Sequence, residues 1–569
     1  MSTQGCQNRS CYLVPEIDRD NRPYRSLRFT QILVVVLCLS AGIGIRDSGA
    51  DDPESVHQAL SSSLMPSKLK LHLRILASDE LEGRATPSPG LNVAARYLAS
   101  HLKYYGLQPL DIDKSYFQDI QLVRRKVAKA SRLRVKSRNR EEVFRLGEDF
   151  VGKGNDETAE LIFVGHGLSL LQKEYDDYKG REVKDKIVLI QDGYPQGSRP
   201  EDFYVERQVG RQFQRVPQNR YRTAMEKGAS GVIILRNQDF FESDDDKTSL
   251  YEQEKASLED KRLKFEFRQN ERPVQLSIFP KTSALIRKML GIQMDSESDE
   301  SGVRTIQEPP VVEVTFRHRI LERQSARNVI GFLEGSDPDL KDEVVVLSAH
   351  YDHIGRRRSR KKNRSENTPV DDINNGADDD GSGTVGILQL AEAFSRISRP
   401  RRSILFLWTC GEELGLLGSE YFVKHPFIPL EKIVAVLNLD MIGRNYQDKE
   451  ENHSHLFLIG TKETSPELGA IIESANQRVG PLQLDRNDPA HFFRRSDHYH
   501  FAKQGIPVAF FTTGTHKDYH RPSDEIEYIR FEKLARVLKL VFHAGLDIAN
   551  RDKAPRFVRN KNKNTAGPS

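Results

Sequence analysis

From Asn328 onward, short apolar runs alternate with segments of helical period. Residues 344–348, 404–408, 433–437, 456–459 and 508–511 are such runs, and their length reads as strands. Between them, Ile387, Leu388, Ala391 and Phe394 share one helical face. Ser465-Pro466, a cap followed by proline at the first helical position, opens a helix through Ile471, Ile472 and Ala475. Phe531, Leu534, Val537, Leu538 and Val541 mark a closing amphipathic helix. This alternation predicts a mostly parallel sheet with helices on both faces, a three-layer α/β/α fold.

The chain before Asn328 has a different texture. Residues 67–110 are helical in period, through Leu73, Leu76, Leu81, Ala94, Tyr97, Leu98 and Leu102, with Gly106 as the stop. From Ala159 the pattern turns β-rich, with strands expected at 161–165, 186–190 and 231–235. His166 is alone there and reads as structural. The acidic patches 244–246 and 295–300 read as solvated loops. The expected organisation is an N-terminal leader over 1–50, a first part of the main domain over 51–150, an inserted β-rich domain over 151–320, the rest of the main domain over 321–550, and a disordered basic tail over 551–569.

Composition narrows the function classes. The 569 residues are 37% apolar and 30% charged, with a formal net charge of +4, which gives no overall signature for nucleic acid or membrane. Arg25 and Arg28 precede the apolar run 32–45, and Ser48-Gly49-Ala50 follows it, which reads as an export signal, with a retained membrane anchor as the second reading. The cysteines are Cys6, Cys11, Cys38 and Cys410. Cleavage near Ala50 leaves only Cys410, so neither a disulfide framework nor a thiolate metal site is expected.

The chemistry-bearing residues gather at the carboxyl ends of the predicted strands. His350 and Asp352, Glu412 and Glu413, Asn438 and Asp440, and His516 and His520 each follow a strand, while Asp378-Asp379-Asp380 precedes a helix. That is where α/β folds place their sites. Glu412 and Glu413 pose an electrostatic problem, because two adjacent carboxylates at the end of an apolar run need water or a cation. A calcium loop starting at Asp378 fails at Ser382 and at Gln389. Mixed imidazole and carboxylate donors without thiolate favour zinc, with manganese or cobalt behind it.

Five segments carry a resemblance: residues 348–355 (SAHYDHIG), 375–383 (NGADDDGSG), 411–419 (GEELGLLGS), 438–441 (NLDM) and 519–524 (YHRPSD). In order and spacing they resemble metallopeptidase family twenty-eight, which contains co-catalytic di-zinc aminopeptidases of the zinc-exopeptidase fold. The likeness covers about 330–550 closely, and 67–120 more loosely through residues 76–84 (LASDELEGR). Residues 164–167, 184–189 and 227–232 resemble a protease-associated domain.

The resemblance implies two zinc ions and five ligands: His350, Asp379, Glu413, Asp440 and His520. Asp379 would bridge, His350 and Asp440 would hold one ion, and Glu413 and His520 the other. Glu412 matches the general base. Asp352 resembles the carboxylate that orients His350. Tyr519 resembles a donor to the developing oxyanion and Arg495 a residue contacting the substrate carbonyl. His353, His498, His500 and His516 lie near the motifs, but the ligand set is full without them. Cys410 reads as a small buried hydrophobe. The basic segment 356–364 departs from the family and reads as a solvated loop, with attraction of acidic peptides as a second reading. The leading expectation is an exported di-zinc aminopeptidase acting on peptides, with a carboxypeptidase or other amidase as the alternative. A non-catalytic binding protein ranks lower, because all five ligands and the base are present.

Overall fold

The computed structural model describes residues 53–110, 113–138, 140–170, 175–209, 212–238, 252–253, 255, 264–265, 273–292, 309–357 and 371–558. The expected export signal, Cys6, Cys11, Cys38, both acidic patches, most of the basic segment and the end of the tail lie outside the described residues.

Strand Val344–His350 lies at the centre of a nine-stranded sheet. It runs parallel to Ser403–Thr409 on one side and to Ile433–Leu439 on the other, and Val508–Thr512 continues the parallel set. Antiparallel strands flank this core. His318–Leu333 pairs with Ser403–Thr409 and with Phe117–Val127, while His455–Ile459 pairs with Val508–Thr512.

The central strand is buried at every position. Val345, Leu347 and Ala349 face one apolar cluster, shared with helices Gly383–Ser395, Pro466–Asn476 and Phe531–Asn550. Val344 and Val346 face another, shared with Phe422 of helix Leu417–Lys424 and Phe501 of helix His498–Lys503. Alternate side chains thus meet helices on opposite faces, which makes the three layers and explains why the strand reads as an unbroken apolar run.

The strand order also determines where a site can open. The chain leaves Val344–His350, joins the sheet at Ser403–Thr409 on one side, then crosses to Ile433–Leu439 on the other. Connections from adjacent strands therefore diverge beyond His350, leaving a crevice at the carboxyl ends.

The β-rich module has a separate eight-stranded sheet and its own apolar core. The chain enters it from Phe117–Val127 and returns along His318–Leu333, two strands paired with each other. The sheet includes Arg132–Ser137 and Arg140–Arg145, because Arg132–Ser137 pairs with Val311–Thr315. The expected boundary at 151 therefore falls inside this sheet. The helical stretch 67–110 is resolved as Pro66–Leu76, a turn at Asp79–Arg84, and Pro89–Tyr104, whose cap Ser88 accepts from the Leu91 N–H at 3.0 Å.

Helix Pro66–Leu76 docks on Gly383–Ser395 through Lys68, which pairs with Glu392 at 2.5 Å, and through buried His72. His72 Nδ1 lies 2.7 Å from the Tyr97 hydroxyl, and Nε2 lies 3.1 Å from the Gln389 amide nitrogen. Burial, with His101 and Lys68 nearby, pushes this imidazole down to about 4 from 6.5. A depressed value means that folding favours the neutral ring. The stability is complete above pH 6.5 and is lost as pH falls toward 4. In thermal unfolding between pH 7 and 4, wild type should lose about 2 kcal/mol more than His72→Asn, after discounting for solvent screening. Parallel pH profiles would show that His72 does not titrate on unfolding.

Candidate metal centre

The crevice collects side chains from five segments. His350 ends the central strand, Glu412 and Glu413 follow Ser403–Thr409, and Asp440 follows Ile433–Leu439. His520 lies beyond Val508–Thr512, with a backbone φ of +57° that few non-glycine residues adopt. Asp379 comes from the irregular turn before helix Gly383–Ser395.

Asp379 is the meeting point. Its Oδ1 lies 3.3 Å from His350 Nε2, which is also 3.6 Å from Asp440 Oδ1. Its Oδ2 lies 3.2 Å from His520 Nε2, which is also 3.2 Å from Glu413 Oε2. One carboxylate therefore turns an oxygen to each of two imidazole–carboxylate groups, and all five residues expected at the centre converge. A sixth joins them: His353 Nδ1 is 2.8 Å from Glu413 Oε1 and 3.9 Å from Asp379 Oδ2.

These groups fit divalent cations. His353 Nε2 is buried without a hydrogen-bond partner among the described residues, which is costly unless something else satisfies the ring. The donors are imidazole nitrogens and carboxylate oxygens, a set suited to zinc. Carboxylates shift the surrounding imidazoles. Burial opposes ionisation of His350, but Glu412 and Asp440 raise it well above 6.5. His520 is partly buried, yet Asp379 and Glu413 lift it to about 10. Asp379 is held well below 3.8, against its burial, by His353, His350 and His520.

Glu412 behaves differently from Glu413. Burial, reinforced by Asp440, Glu413 and Asp497 and opposed by His350, raises Glu412 well above 4.5. For Glu413, His353 and His520 outweigh burial and Asp379, and its value falls.

A second layer of contacts holds the donors. The three consecutive aspartates divide their work. Asp378 Oδ1 accepts from the Gly443 N–H at 2.7 Å, and Asp380 Oδ1 accepts from the N–H groups of Gly383 at 2.9 Å and Met441 at 3.1 Å. Only the middle residue is turned to the centre. Asp524 accepts from the N–H groups of Asp378 and Asp379 at 3.1 Å each, so the motif carrying His520 also holds the turn that carries Asp379. Gly376 permits that turn: its φ is +58°, and a Cβ there would lie 2.2 Å from the Asp379 carbonyl oxygen.

Fully buried Arg84 donates to the carbonyls of Tyr351 at 2.9 Å, Asn375 at 2.8 Å and Gly376 at 3.0 Å, and also to that of Leu76. It thereby ties helix Pro66–Leu76 to the segments bearing His350 and Asp379. Asp352 sits beside His350 as expected, but its main-chain oxygen is the nearer partner of Nδ1, at 3.1 Å against 3.6 Å for the carboxylate. The carboxylate instead accepts from the Glu412 N–H at 3.2 Å and the Thr86 hydroxyl at 2.9 Å. Thr86 in turn accepts from the Gly411 N–H at 3.0 Å. Asp352 is thus shared between His350 and the Glu412 segment.

The outer residues fall into two groups. The Tyr519 ring stacks on His520 with centroids 3.9 Å apart, and exposed Arg495 donates to its hydroxyl at 3.3 Å. Burial and the nearby Asp379 keep the Tyr519 phenol protonated, despite Arg495. His498 stacks on Phe510, 4.6 Å between centroids, and burial pushes it down to about 3. His516 contacts Asp378 at 3.4 Å in a buried network with Asp524 and Arg444. A third cluster of acids and imidazole, Asp448, His516 and Asp518, already has a cation, since Arg444 pairs with Asp448 at 2.5 Å and Asp518 at 3.0 Å. Cys410 is buried, as expected.

Residues 328–545 match the model of Peptidase family M28. Aminopeptidase YwaD of Bacillus subtilis strain 168 is 27% identical over 294 residues, 50% of this chain and 58% of that protein. Leucine aminopeptidase 2 of Trichophyton rubrum is 26% identical over 272 residues, 47% of this chain and 49% of that protein. The chain thus spans about half the length of the curated relatives it matches. Among solved structures, an aminopeptidase from Aneurinibacillus sp. strain AM-1 aligns with 19% identity and a TM-score of 0.44, over 88% of this chain and 97% of that one. BSAP, a zinc aminopeptidase from Bacillus subtilis, aligns with 20% identity and a TM-score of 0.42, over 86% and 97%.

The sequence reading named Asp524 only as part of a motif. Its contacts make it a positioning residue for Asp379. Asp524→Asn should weaken divalent-cation binding by roughly 10–100-fold and cost about 1–3 kcal/mol of stability, read by calorimetric titration and thermal unfolding. Unchanged cation affinity would show that Asp379 holds its place without it.

Proposed function

We propose that this protein is an exported metallo-aminopeptidase that holds two zinc ions and removes residues from the N-termini of peptides. The observation that carries this reading is Asp379, with one oxygen facing His350 and Asp440 and the other facing His520 and Glu413. A carboxylate turned this way would offer one oxygen to each of two cations. The relatives named as aminopeptidases support action at the amino end, and the imidazole and carboxylate donor set supports the choice of metal. Export rests on the basic and apolar pattern of residues 25–50.

Bound zinc supplies Lewis acidity toward the scissile carbonyl and an attacking water. The protein does the rest. Glu412 takes a proton from the water and later delivers it to the leaving amine. Asp352 links the Glu412 N–H to His350, so the base and the centre keep a fixed spacing. Tyr519, protonated and stacked on His520, would donate to the oxyanion. Arg495 holds the Tyr519 hydroxyl and borders the substrate. The β-rich module, with its independent core, is assigned as a protease-associated domain.

Two measurements test this reading. Glu412→Gln should retain both cations by elemental analysis while kcat falls by roughly 10²–10⁴-fold on amino-acid anilides. Near-wild-type turnover in that variant would remove Glu412 from the mechanism. Chelator treatment should abolish anilide hydrolysis and zinc should restore it, whereas N-blocked peptides with a free carboxylate should remain uncut. Cleavage of the blocked peptides would instead establish a carboxypeptidase.

A further inference from the structure

We propose that His353 is a fourth side-chain donor to the cation position formed by Asp379, Glu413 and His520, an inference that rests on the two-zinc reading. The chemistry required of the cation is that of a borderline divalent metal accepting a second imidazole.

Four observations support this. First, His353 is buried to 1% exposure, and its Nε2 has no hydrogen-bond partner among the described residues. An imidazole left so in an apolar setting would pack against carbon, as His498 does on Phe510. His353 instead faces two carboxylates and an imidazole.

Second, the spacing is that of ligands sharing an ion. Nitrogen and oxygen atoms about 2.0–2.2 Å from one zinc, at tetrahedral or neighbouring angles, lie roughly 3–4 Å apart. His520 Nε2 is 3.2 Å from both Asp379 Oδ2 and Glu413 Oε2. His353 Nδ1 is 3.9 Å from Asp379 Oδ2 and, just under that range, 2.8 Å from Glu413 Oε1, and these three residues each offer a donor atom within 4.8 Å of one another.

Third, the ring turns Nδ1 toward both carboxylates, 2.8 Å from Glu413 Oε1 and 3.9 Å from Asp379 Oδ2, so one nitrogen is presented to the centre.

Fourth, the backbone aims the ring. The His353 N–H donates to the Arg84 carbonyl at 3.2 Å, and His353 bridges Ala85. Gly376 leaves room for the ring, since a Cβ there would lie 2.6 Å from His353 carbons.

The assignment makes the two positions unequal. One has a single imidazole, His350, with Asp379 and Asp440. The other has two, His353 and His520, with Asp379 and Glu413. The second imidazole also adds no charge, so it strengthens a position already holding two carboxylates without further repulsion.

The test uses the full chain stripped of metal and titrated with zinc against a chromophoric chelator, then with cobalt(II) read by visible absorption. Wild type should bind two ions in two steps. His353→Asn and His353→Ala should weaken one step by at least about 10-fold, leave the other unchanged and alter the cobalt spectrum. His498→Ala, outside the centre, should change neither step. Metal-free unfolding profiles matching wild type would confirm that the variants fold. Two unchanged steps with an unchanged spectrum would overturn the inference and leave the two-zinc reading intact. A weakened step with an unchanged spectrum would make His353 a positioning partner of Glu413 and overturn direct ligation. Fewer than two ions in wild type would overturn the two-zinc reading itself.

Discussion

Everything in this crevice depends on how one carboxylate is presented. Asp379 must offer its two oxygens in different directions, to His350 on one side and His520 on the other. A side chain with that demand cannot sit on a mobile loop, because a small rotation would withdraw one oxygen. The protein meets the demand by fixing the main chain around it. Asp378 and Asp380, the residues on either side, are spent on backbone N–H groups, and Asp524 accepts the N–H of Asp379 itself. Three neighbouring acids are therefore three different parts of one support.

The fold makes that support affordable in space. The centre lies where strands 403–409 and 433–439 diverge from the central strand, so loops from both sides reach it without crossing. Burial on both faces of Val344–His350 leaves His350 little freedom. Arg84 then ties three separate segments together through their carbonyls alone. Burial lowers its guanidinium only to about 10, so it stays cationic beside the acidic centre and offsets part of its charge. The early helices, which carry no donor of their own, are in this way part of the site.

How far the sequence could be read follows from what kind of information each feature needs. The central strands were legible because burial on both faces writes a continuous apolar run. The donors were legible because they follow those runs in order. That His353 faces Glu413 was not, since its place in His-Tyr-Asp-His gives a spacing but no direction. Asp524 was visible in a motif, but its role depends on which N–H groups it meets. Asp352 was placed correctly, yet the atom nearer His350 is its main-chain oxygen. The module boundary was missed because Arg132–Ser137 and Arg140–Arg145 are charged and short, and only pairing with Val311–Thr315 draws the first of them into the second sheet.

The adjacent glutamates show why charge at this centre cannot be assigned from neighbourhood alone. Glu412 and Glu413 are consecutive, share a turn and are both largely buried. Burial raises the proton affinity of each. The difference is what each one faces. Glu413 points at His353 and His520, whose positive forms favour its ionisation, and it becomes the stronger acid. Glu412 has Asp440, Glu413 and Asp497 around it, with only His350 opposing them, and it becomes the weaker acid. Adjacent positions on one turn thus differ because one side chain faces two imidazoles and the other has three carboxylates and one imidazole near it.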